Sequence, residues 1–155
     1  MLLHILAVGD VVSERGLDCL HHHLRALKKE HDIHFTVVNG ENAAGLGLLP
    51  RHADEIFDAG ADVITLGNHT WSRLQIADHL DQTPYILRPA NFAPNLPGRG
   101  FGVFEGPQGL RIGVLNLMGR FELDSNLSSP FEKADRILAG EGRDADVMLV
   151  DFHAE

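Results

Sequence analysis

The sequence predicts an α/β fold in which a mainly parallel sheet is flanked by helices. Short apolar runs alternate with amphipathic, helix-like segments from the N-terminus onward, and this alternation is typical of parallel strands joined by helical crossovers. Several of the runs are apolar without interruption, which indicates strands covered on both faces. A chain of 155 residues is long enough for one buried core, so we expect residues 1–155 to form a single domain.

The first half of the chain supplies three strands and three helices. Continuous apolar runs predict strands at residues 2–8, 35–38 and 63–66. Helical spacing of apolar residues predicts helices at residues 15–29, from Pro50 onward and at about 72–80. Proline at position 50 suits the first turn of a helix, where its missing N–H needs no partner. The apolar positions expected for the third helix are Leu74, Ile76, Ala77 and Leu80.

The second half of the chain departs from this alternation. Residues 101–105 and 110–117 flank a Gly-Pro-Gln-Gly turn signal and predict a β-hairpin, which we expect to join the parallel sheet. A short helix from Pro130 to about residue 139 precedes a last strand at 147–150. That run also has the character of a strand covered on both faces, yet no following crossover is supplied. We therefore expect the domain to be incomplete at its C-terminus.

Composition excludes several classes of partner. Acidic residues number 22 against 13 basic ones, and the net charge of -9 disfavours binding to long nucleic acid. A small phosphate ligand remains compatible with this charge, because bound cations can invert the field of an acidic pocket. No apolar run approaches the ~18 residues of a membrane span, and the N-terminus lacks the features of a signal peptide. We expect no membrane partner and a cytoplasmic location.

Polar residues with metal-ligand character follow four of the predicted strands. They are Asp10 after the first strand, Glu41 and Asn42 after the second, Asn68 and His69 after the third, and His153 after the last. The carboxyl ends of parallel strands lie along one edge of a sheet, so we expect these side chains to converge on one crevice. The combination of oxygen and imidazole donors predicts a site for two divalent cations.

The chemistry of these residues indicates hydrolysis of a phosphoester. A carboxylate such as Asp10 or Glu41 could bridge two cations held about 3.5–4 Å apart, which would activate a bridging water against phosphorus. His69 could protonate the departing alkoxide near neutral pH, while Asn68 directs an amide oxygen to metal. Ordinary turn chemistry is the alternative for Asp10 and for the Gly-Asn-His triplet. Capping of the loop is the alternative for Glu41, and a left-handed backbone is the alternative for Asn42.

Six sequence motifs resemble those of a known family. They are GDVV, NGENAAGLG, ITLGNHTW, RPANF, NLMGRF and DFHAE. In this order they resemble the small bacterial calcineurin-like metallophosphoesterases, and within these the 2′,3′-cyclic-nucleotide 2′-phosphodiesterases. The resemblance spans nearly the whole chain and implies a metallophosphoesterase sandwich. Family members continue after DFHAE with a helix and a GTHTHV-like segment, so the C-terminal part of the second sheet is expected to be missing here.

The resemblance also implies a role for each candidate residue. Asp10 would bind one metal, Glu41 would bridge both, Asn68 and His153 would bind the second, His69 would be the catalytic acid, and Asn42 would support the site. The implied cofactors are two divalent metal ions, which are iron, manganese or magnesium in family members. The family also forms homo-oligomers.

Two functional hypotheses follow from these observations. The first is a dinuclear-metal phosphodiesterase that hydrolyses 2′,3′-cyclic nucleotides or related small phosphoesters by attack of a metal-bridging hydroxide. The alternative is a non-catalytic metal-binding, phosphate-binding or assembly module derived from the same fold.

Overall fold

The computed structural model describes residues 2–121, 123 and 127–154, and its layered sheets and helices confirm the predicted α/β class. In chain order the elements are β1 (Ile5–Val8), α1 (Ser13–Glu30), β2 (Phe35–Asn39), α2 (Pro50–Ala59), β3 (Val63–Thr65), α3 (Ile76–Gln82), β4 (Ile86–Leu87), β5 (Phe101–Glu105), β6 (Arg111–Met118), α4 (Pro130–Ala139) and β7 (Val147–His153). Short 3-10 helices lie at Thr70–Ser72, Pro107–Gly109 and Glu141–Asp144.

The first sheet is parallel throughout and has the strand order β1-β2-β3-β4. Every residue of β2 is buried, because this central strand is covered on both faces. The Val63–Thr65 strand is buried in the same way. The uninterrupted apolar runs therefore indicated two-sided burial correctly for these strands.

The predicted hairpin is confirmed, but the expectation that it joins the parallel sheet is wrong. Strands β5 and β6 pair antiparallel, and β7 pairs parallel to β6, so the three form a second sheet. The two sheets face each other as a sandwich. The sequence of a hairpin does not indicate which sheet the hairpin joins. Its turn residues are local, whereas the strand that it pairs with lies elsewhere in the chain.

Three apolar clusters hold the layers together. One joins the helices to the outer face of the first sheet, with members that include Leu24, Ile56, Ile64 and Leu80. A second lies between the sheets and includes Phe35, Val63, Leu87, Ile112 and Val114. A third packs α4 onto the second sheet through Phe101, Leu115, Leu117 and Ile137. Successive strand residues alternate between clusters because their side chains point to opposite faces.

Several predicted boundaries are wrong. The helix expected at about 72–80 is a 3-10 turn at Thr70–Ser72 followed by α3, and Leu74 lies between them with 74% of its surface exposed. The short strand β4 was not predicted, because two residues are too few to show a period. Strand β7 is only partly covered, with Val150 and Phe152 exposed, so its apolar run did not indicate burial on both faces.

Among the described residues, no helix combines the length and the apolar character needed to cross a membrane.

Candidate active site at the strand ends

The candidate site lies where β1, β2, β3 and β7 reach their carboxyl ends. The structure brings together residues from all four strand ends: Asp10 and Asn42, Asn42 and Glu41, Glu41 and the His69 backbone, and Glu41 and His153. The last pair joins the two sheets. The structure therefore brings Asp10, Asn42, Glu41, the His69 backbone and His153 close together.

Glu41 is the centre of this cluster. Its side chain is buried, with 2% of the residue surface exposed. Oε1 lies 3.4 Å from His153 Nδ1, and it accepts a hydrogen bond from Asn42 Nδ2 at 3.4 Å. Oε2 accepts a hydrogen bond from the His69 backbone N–H at 3.4 Å. One carboxylate thus contacts groups from three separate segments of the chain.

The environment of Glu41 disfavours the ionised form of its side chain. Burial raises the pKa of the Glu41 carboxyl above its ordinary value, and this is the largest influence. The charge at His153 and the hydrogen bond from the His69 backbone lower the same pKa. A buried carboxylate is stable only when positive charge or hydrogen-bond donors surround it. The site is therefore suited to binding cations.

Asp10 occupies a different environment at the rim of the site. Its residue surface is exposed, and its Oδ1 accepts a hydrogen bond from Asn42 Nδ2 at 2.8 Å. The backbone of Asp10 has a φ of 39°, a left-handed conformation that is uncommon for residues other than glycine. Asn42 is not among the residues with positive φ, so the alternative of a left-handed backbone was wrong for Asn42. Its side chain instead links Asp10 to Glu41.

Three buried polar atoms in this cluster have no hydrogen-bond partner among the described residues. They are Asn42 Oδ1, His69 Nδ1 and His153 Nε2. Buried polar groups are almost always paired, so unpaired atoms gathered in one place indicate a position for a polar ligand.

Gly67 lets the loop after β3 approach the centre of the cluster. A Cβ at this position would lie 2.6 Å from Glu41 Cδ and 2.7 Å from His153 Nδ1, closer than real Cβ contacts. The glycine of the Gly-Asn-His triplet is therefore required by space around the Glu41 carboxylate.

Asn68 is the candidate residue for which the structure gives the least evidence of a contact with the other candidates. It is half-buried between Gly67 and His69, and no side-chain hydrogen bond is found for it within the described part of the chain. Across residues 2–121, 123 and 127–154, no group of three or more His, Cys, Asp or Glu side chains is arranged to hold a metal ion. Glu41 and His153 are brought into contact, whereas Asp10 is joined to them through Asn42.

Two further polar residues lie beside the site, and neither was assigned a role from the sequence. Asn39 Oδ1 accepts a hydrogen bond from the Glu41 backbone N–H at 3.4 Å, and Asn39 Nδ2 lies 3.5 Å from Asp151 Oδ2. The pair thus links the second strand to β7 next to the Glu41 backbone. Asn39 lies in the motif NGEN and Asp151 in the motif DFHAE. Their positions close to Glu41 and His153 in the sequence could have indicated that they lie near the site.

The comparisons with known proteins agree with this architecture. A family described as YmdB-like protein matches residues 6–155. A Bacillus subtilis (strain 168) protein named 2′,3′-cyclic-nucleotide 2′-phosphodiesterase is 41% identical over 154 residues, which cover 99% of this chain and 58% of that protein.

Two solved structures resemble the fold closely. A hypothetical protein from Thermus thermophilus superposes with a TM-score of 0.87 and 37% identity, over 97% of this chain and 57% of that one. The structure of a protein described as a novel phosphatase from Mycoplasma pneumoniae has a TM-score of 0.87 and 31% identity, over 99% of this chain and 56% of that one. The chain thus spans somewhat more than half the length of these relatives.

Proposed function

The chain belongs to the family of YmdB-like proteins, and from this premise we propose that it carries the active site of a phosphodiesterase for 2′,3′-cyclic nucleotides or related small phosphoesters. The observation that carries the proposal is the meeting of Glu41, His69 and His153 at the strand ends of two sheets. The name of the Bacillus subtilis relative supports the substrate class.

We propose that the site holds two divalent metal ions, which are iron, manganese or magnesium. The residues fit such ions, because a buried carboxylate stands beside an imidazole and three buried polar atoms without partners among the described residues. In this proposal Asp10 would hold one ion, Glu41 would be shared by the two, and Asn68 with His153 would hold the other. When bound, such ions activate a water molecule and offset the charge of the phosphoryl oxygens.

The remaining groups of the chain orient these ligands and move a proton. Asn42 donates to Asp10 and to Glu41 and so maintains the spacing of the two carboxylates. The backbone of His69 is tied to Glu41, which sets the position of its ring relative to the ligands. We propose that His69 is the general acid and gives a proton to the departing ribose oxygen. A histidine suits this step because its ordinary pKa lies near neutral pH.

We propose further that residues 1–155 act as one domain, in the cytoplasm and as a homo-oligomer. The apolar cluster between the sheets supports the single domain, since it draws residues from both the first and the second half of the chain.

Substitutions in the site test this proposal, in the protein as its natural gene encodes it. Glu41→Gln and Asn68→Ala are expected to abolish metal-dependent hydrolysis of 2′,3′-cyclic AMP, because each removes a ligand. His69→Ala is expected to slow turnover about 100-fold or more while metal content stays unchanged. Steady-state kinetics and elemental analysis of each variant give the measurement.

The exposed His21 on α1 provides the matched control, and His21→Ala is expected to keep wild-type turnover. Unchanged hydrolysis in Glu41→Gln would refute the proposed ligand set. Loss of metal in His69→Ala would reassign this residue from acid to ligand.

The second candidate function is a non-catalytic binding module. It is favoured by the finding that the described residues hold no group of three acidic, imidazole or thiol side chains arranged for a metal. A naturally encoded protein that retains no metal and hydrolyses no cyclic nucleotide would establish this alternative.

A further inference from the structure

We propose that a pocket next to the candidate active site binds a second phosphate group of the substrate. The pocket has a volume of about 380 Å³ and lies between the first turns of α1 and α2 and the loop that follows Asn42. The inference rests on the proposed function for the identity of the substrate, whereas the anion-binding character of the pocket follows from its own residues.

Two helix N-termini open into this pocket. Helix α1 begins at Ser13 and α2 begins at Pro50, and the N-cap residues Val12 and Leu49 provide no side-chain hydrogen bond to either helix. The first N–H groups of a helix carry partial positive charge and attract anions. The Ser13 N–H is bonded to the Asn42 carbonyl and the His52 N–H to the Leu49 carbonyl, and Pro50 has no N–H. Among the described pocket residues, the N–H groups of Glu14 and Arg51 therefore remain to bind a ligand.

The charged side chains that line the pocket give it a net positive charge. Arg51 and Arg73 line it together with one carboxylate, that of Glu14. The charge of the pocket is thus opposite in sign to the net charge of -9 of the whole chain. Arginine presents several donors in a plane and suits phosphate oxygens.

The two arginines are held differently. Arg73 donates from Nε to the Leu46 carbonyl at 3.1 Å and from Nη2 to the Ala44 carbonyl at 3.4 Å, which fixes it against the loop. Arg51 Nη2 lies 3.2 Å from Glu14 Oε1, in a pair whose side chains are more than 60% exposed. An exposed pair of this kind contributes little, so Arg51 can exchange Glu14 for a phosphate.

A buried histidine provides an independent sign of a ligand. His52 lines the pocket although only 1% of its surface is exposed. Its Nε2 lies 3.3 Å from Glu14 Oε1, while its buried Nδ1 has no partner within the described part of the chain. Buried polar atoms without a partner are rare, and this one belongs to a side chain that lines the pocket.

The pocket is joined directly to the active-site loop. The Asn42 carbonyl accepts hydrogen bonds from the Ser13 N–H at 3.0 Å and from the Gly45 N–H at 2.8 Å. Arg73 lines the pocket and follows His69 closely in the chain. A substrate whose cyclic phosphate lies at Glu41 can therefore extend toward Arg51 and Arg73.

The ligand class follows from this arrangement. A second phosphate beyond the cyclic one is present on a nucleotide 2′,3′-cyclic phosphate that also carries a 5′-phosphate. It is present as well on a dinucleotide that ends in a 2′,3′-cyclic phosphate. Both present the same chemistry to the arginines, and they differ in whether the second phosphate is a monoester or a diester.

A kinetic comparison tests the inference. We expect the wild-type protein to hydrolyse 5′-phosphorylated 2′,3′-cyclic AMP with a kcat/KM about tenfold above that of 2′,3′-cyclic AMP, as one charge-assisted contact provides. Arg51→Gln is expected to remove this preference and to leave hydrolysis of 2′,3′-cyclic AMP unchanged. Glu14→Gln is expected to increase the preference, because it frees Arg51. Arg15→Gln, an exposed charge outside the pocket, is the matched control.

A binding measurement keeps the inference separate from the proposed activity. Inorganic phosphate is titrated into the magnesium-loaded protein while the NMR signals of the Arg51 and Gly45 amides are followed. We expect saturable shifts that weaken about tenfold in Arg51→Gln and strengthen in Glu14→Gln.

The outcomes discriminate clearly. Phosphate binding at these amides without cyclic-nucleotide hydrolysis would refute the proposed function and preserve the pocket. Hydrolysis of 2′,3′-cyclic AMP with no preference for a second phosphate, and no shift of the amides, would overturn the inference alone. If the dinucleotide gains as much as the 5′-phosphorylated substrate, the second phosphate is bound as a diester. If kcat/KM rises only for the 5′-phosphorylated substrate, the second phosphate is bound as a monoester.

Discussion

At the scale of single residues, the candidate site depends on how Glu41 is enclosed. Its carboxylate is buried, receives the His69 N–H, and lies 3.4 Å from the His153 ring. The Gly-Asn-His triplet suggested a site by its position after a strand, yet sequence offered no sign that Gly67 itself touches Glu41. That contact joins loops distant in the chain, so only the fold reveals it.

Gly67→Ala is predicted to disrupt the site without unfolding the protein. The added methyl would overlap Glu41 and His153, and these side chains would have to move apart. We expect loss of metal retention and of cyclic-nucleotide hydrolysis, measured by elemental analysis and kinetics, with a cooperative thermal transition preserved.

Gly9→Ala is the matched control, because Gly9 also precedes a candidate ligand but a Cβ there meets no atom within 4 Å. Equal activity of the two variants would contradict the argument that space at Gly67 is what the site requires.

At the scale of elements, local signals account for some boundaries and not for others. Helix α4 begins at the predicted Pro130 because Ser129 precedes it, and the Ser129 hydroxyl accepts a hydrogen bond from the Glu132 N–H. Helix α3 begins later than predicted, since Gln75 provides no side-chain cap and Leu74 is exposed. A cap marks a boundary in the sequence, whereas apolar periodicity alone does not.

Strand β6 is joined to the segment before β7 by Asp146. The Arg111 backbone N–H donates to Asp146 Oδ2 at 2.8 Å, and this bond is the first cause of the lowered pKa of Asp146. We predict that Asp146→Asn lowers the free energy of unfolding at neutral pH. The folded-state pKa lies below the ordinary 3.8, so the unfolded state binds more protons over that interval. The wild-type advantage is therefore complete above about pH 4 and disappears as pH falls through the folded-state pKa.

Urea unfolding of both proteins between pH 2 and 7 measures this difference. Asp144→Asn serves as the control, because Asp144 faces the same Arg111 at 3.9 Å but its side chain is 81% exposed, and such pairs contribute little. A pH-independent difference between wild type and Asp146→Asn would refute the account.

At the scale of the whole molecule, buried asparagines fasten one sheet to the other. Asn116 on β6 is fully buried, and its Nδ2 donates to the carbonyl oxygens of Leu66 at 2.7 Å and Leu87 at 2.8 Å. These carbonyls belong to the ends of the first sheet, so the amide compensates for burying them. The apolar cluster between the sheets provides attraction, while this amide specifies how the sheets align.

Asn116→Leu is predicted to lower the free energy of unfolding by about 1–3 kcal/mol, because the buried Leu66 carbonyl loses its donor while the Leu87 carbonyl keeps only the Leu66 N–H. Asn116→Asp is predicted to be more destabilising still, since it places a carboxylate against the same two oxygens. Chemical denaturation of both variants at neutral pH measures the order. A more stable Asp variant would show that donation to Leu66 and Leu87 is not the role of Asn116.

The sequence by itself determined the class of fold, the order of most strands and helices, and the polar residues that end the strands. These features are local, because they depend on periodicity and on Gly, Pro and capping residues within a few positions. Only the tertiary structure decided that the hairpin forms a second sheet, that Asp10 rather than Asn42 has the left-handed backbone, and that Arg51 and His52 border a pocket beside the site. Each of these features depends on contacts between segments far apart in the chain. The pattern of residues along the sequence does not indicate how close such segments lie in space.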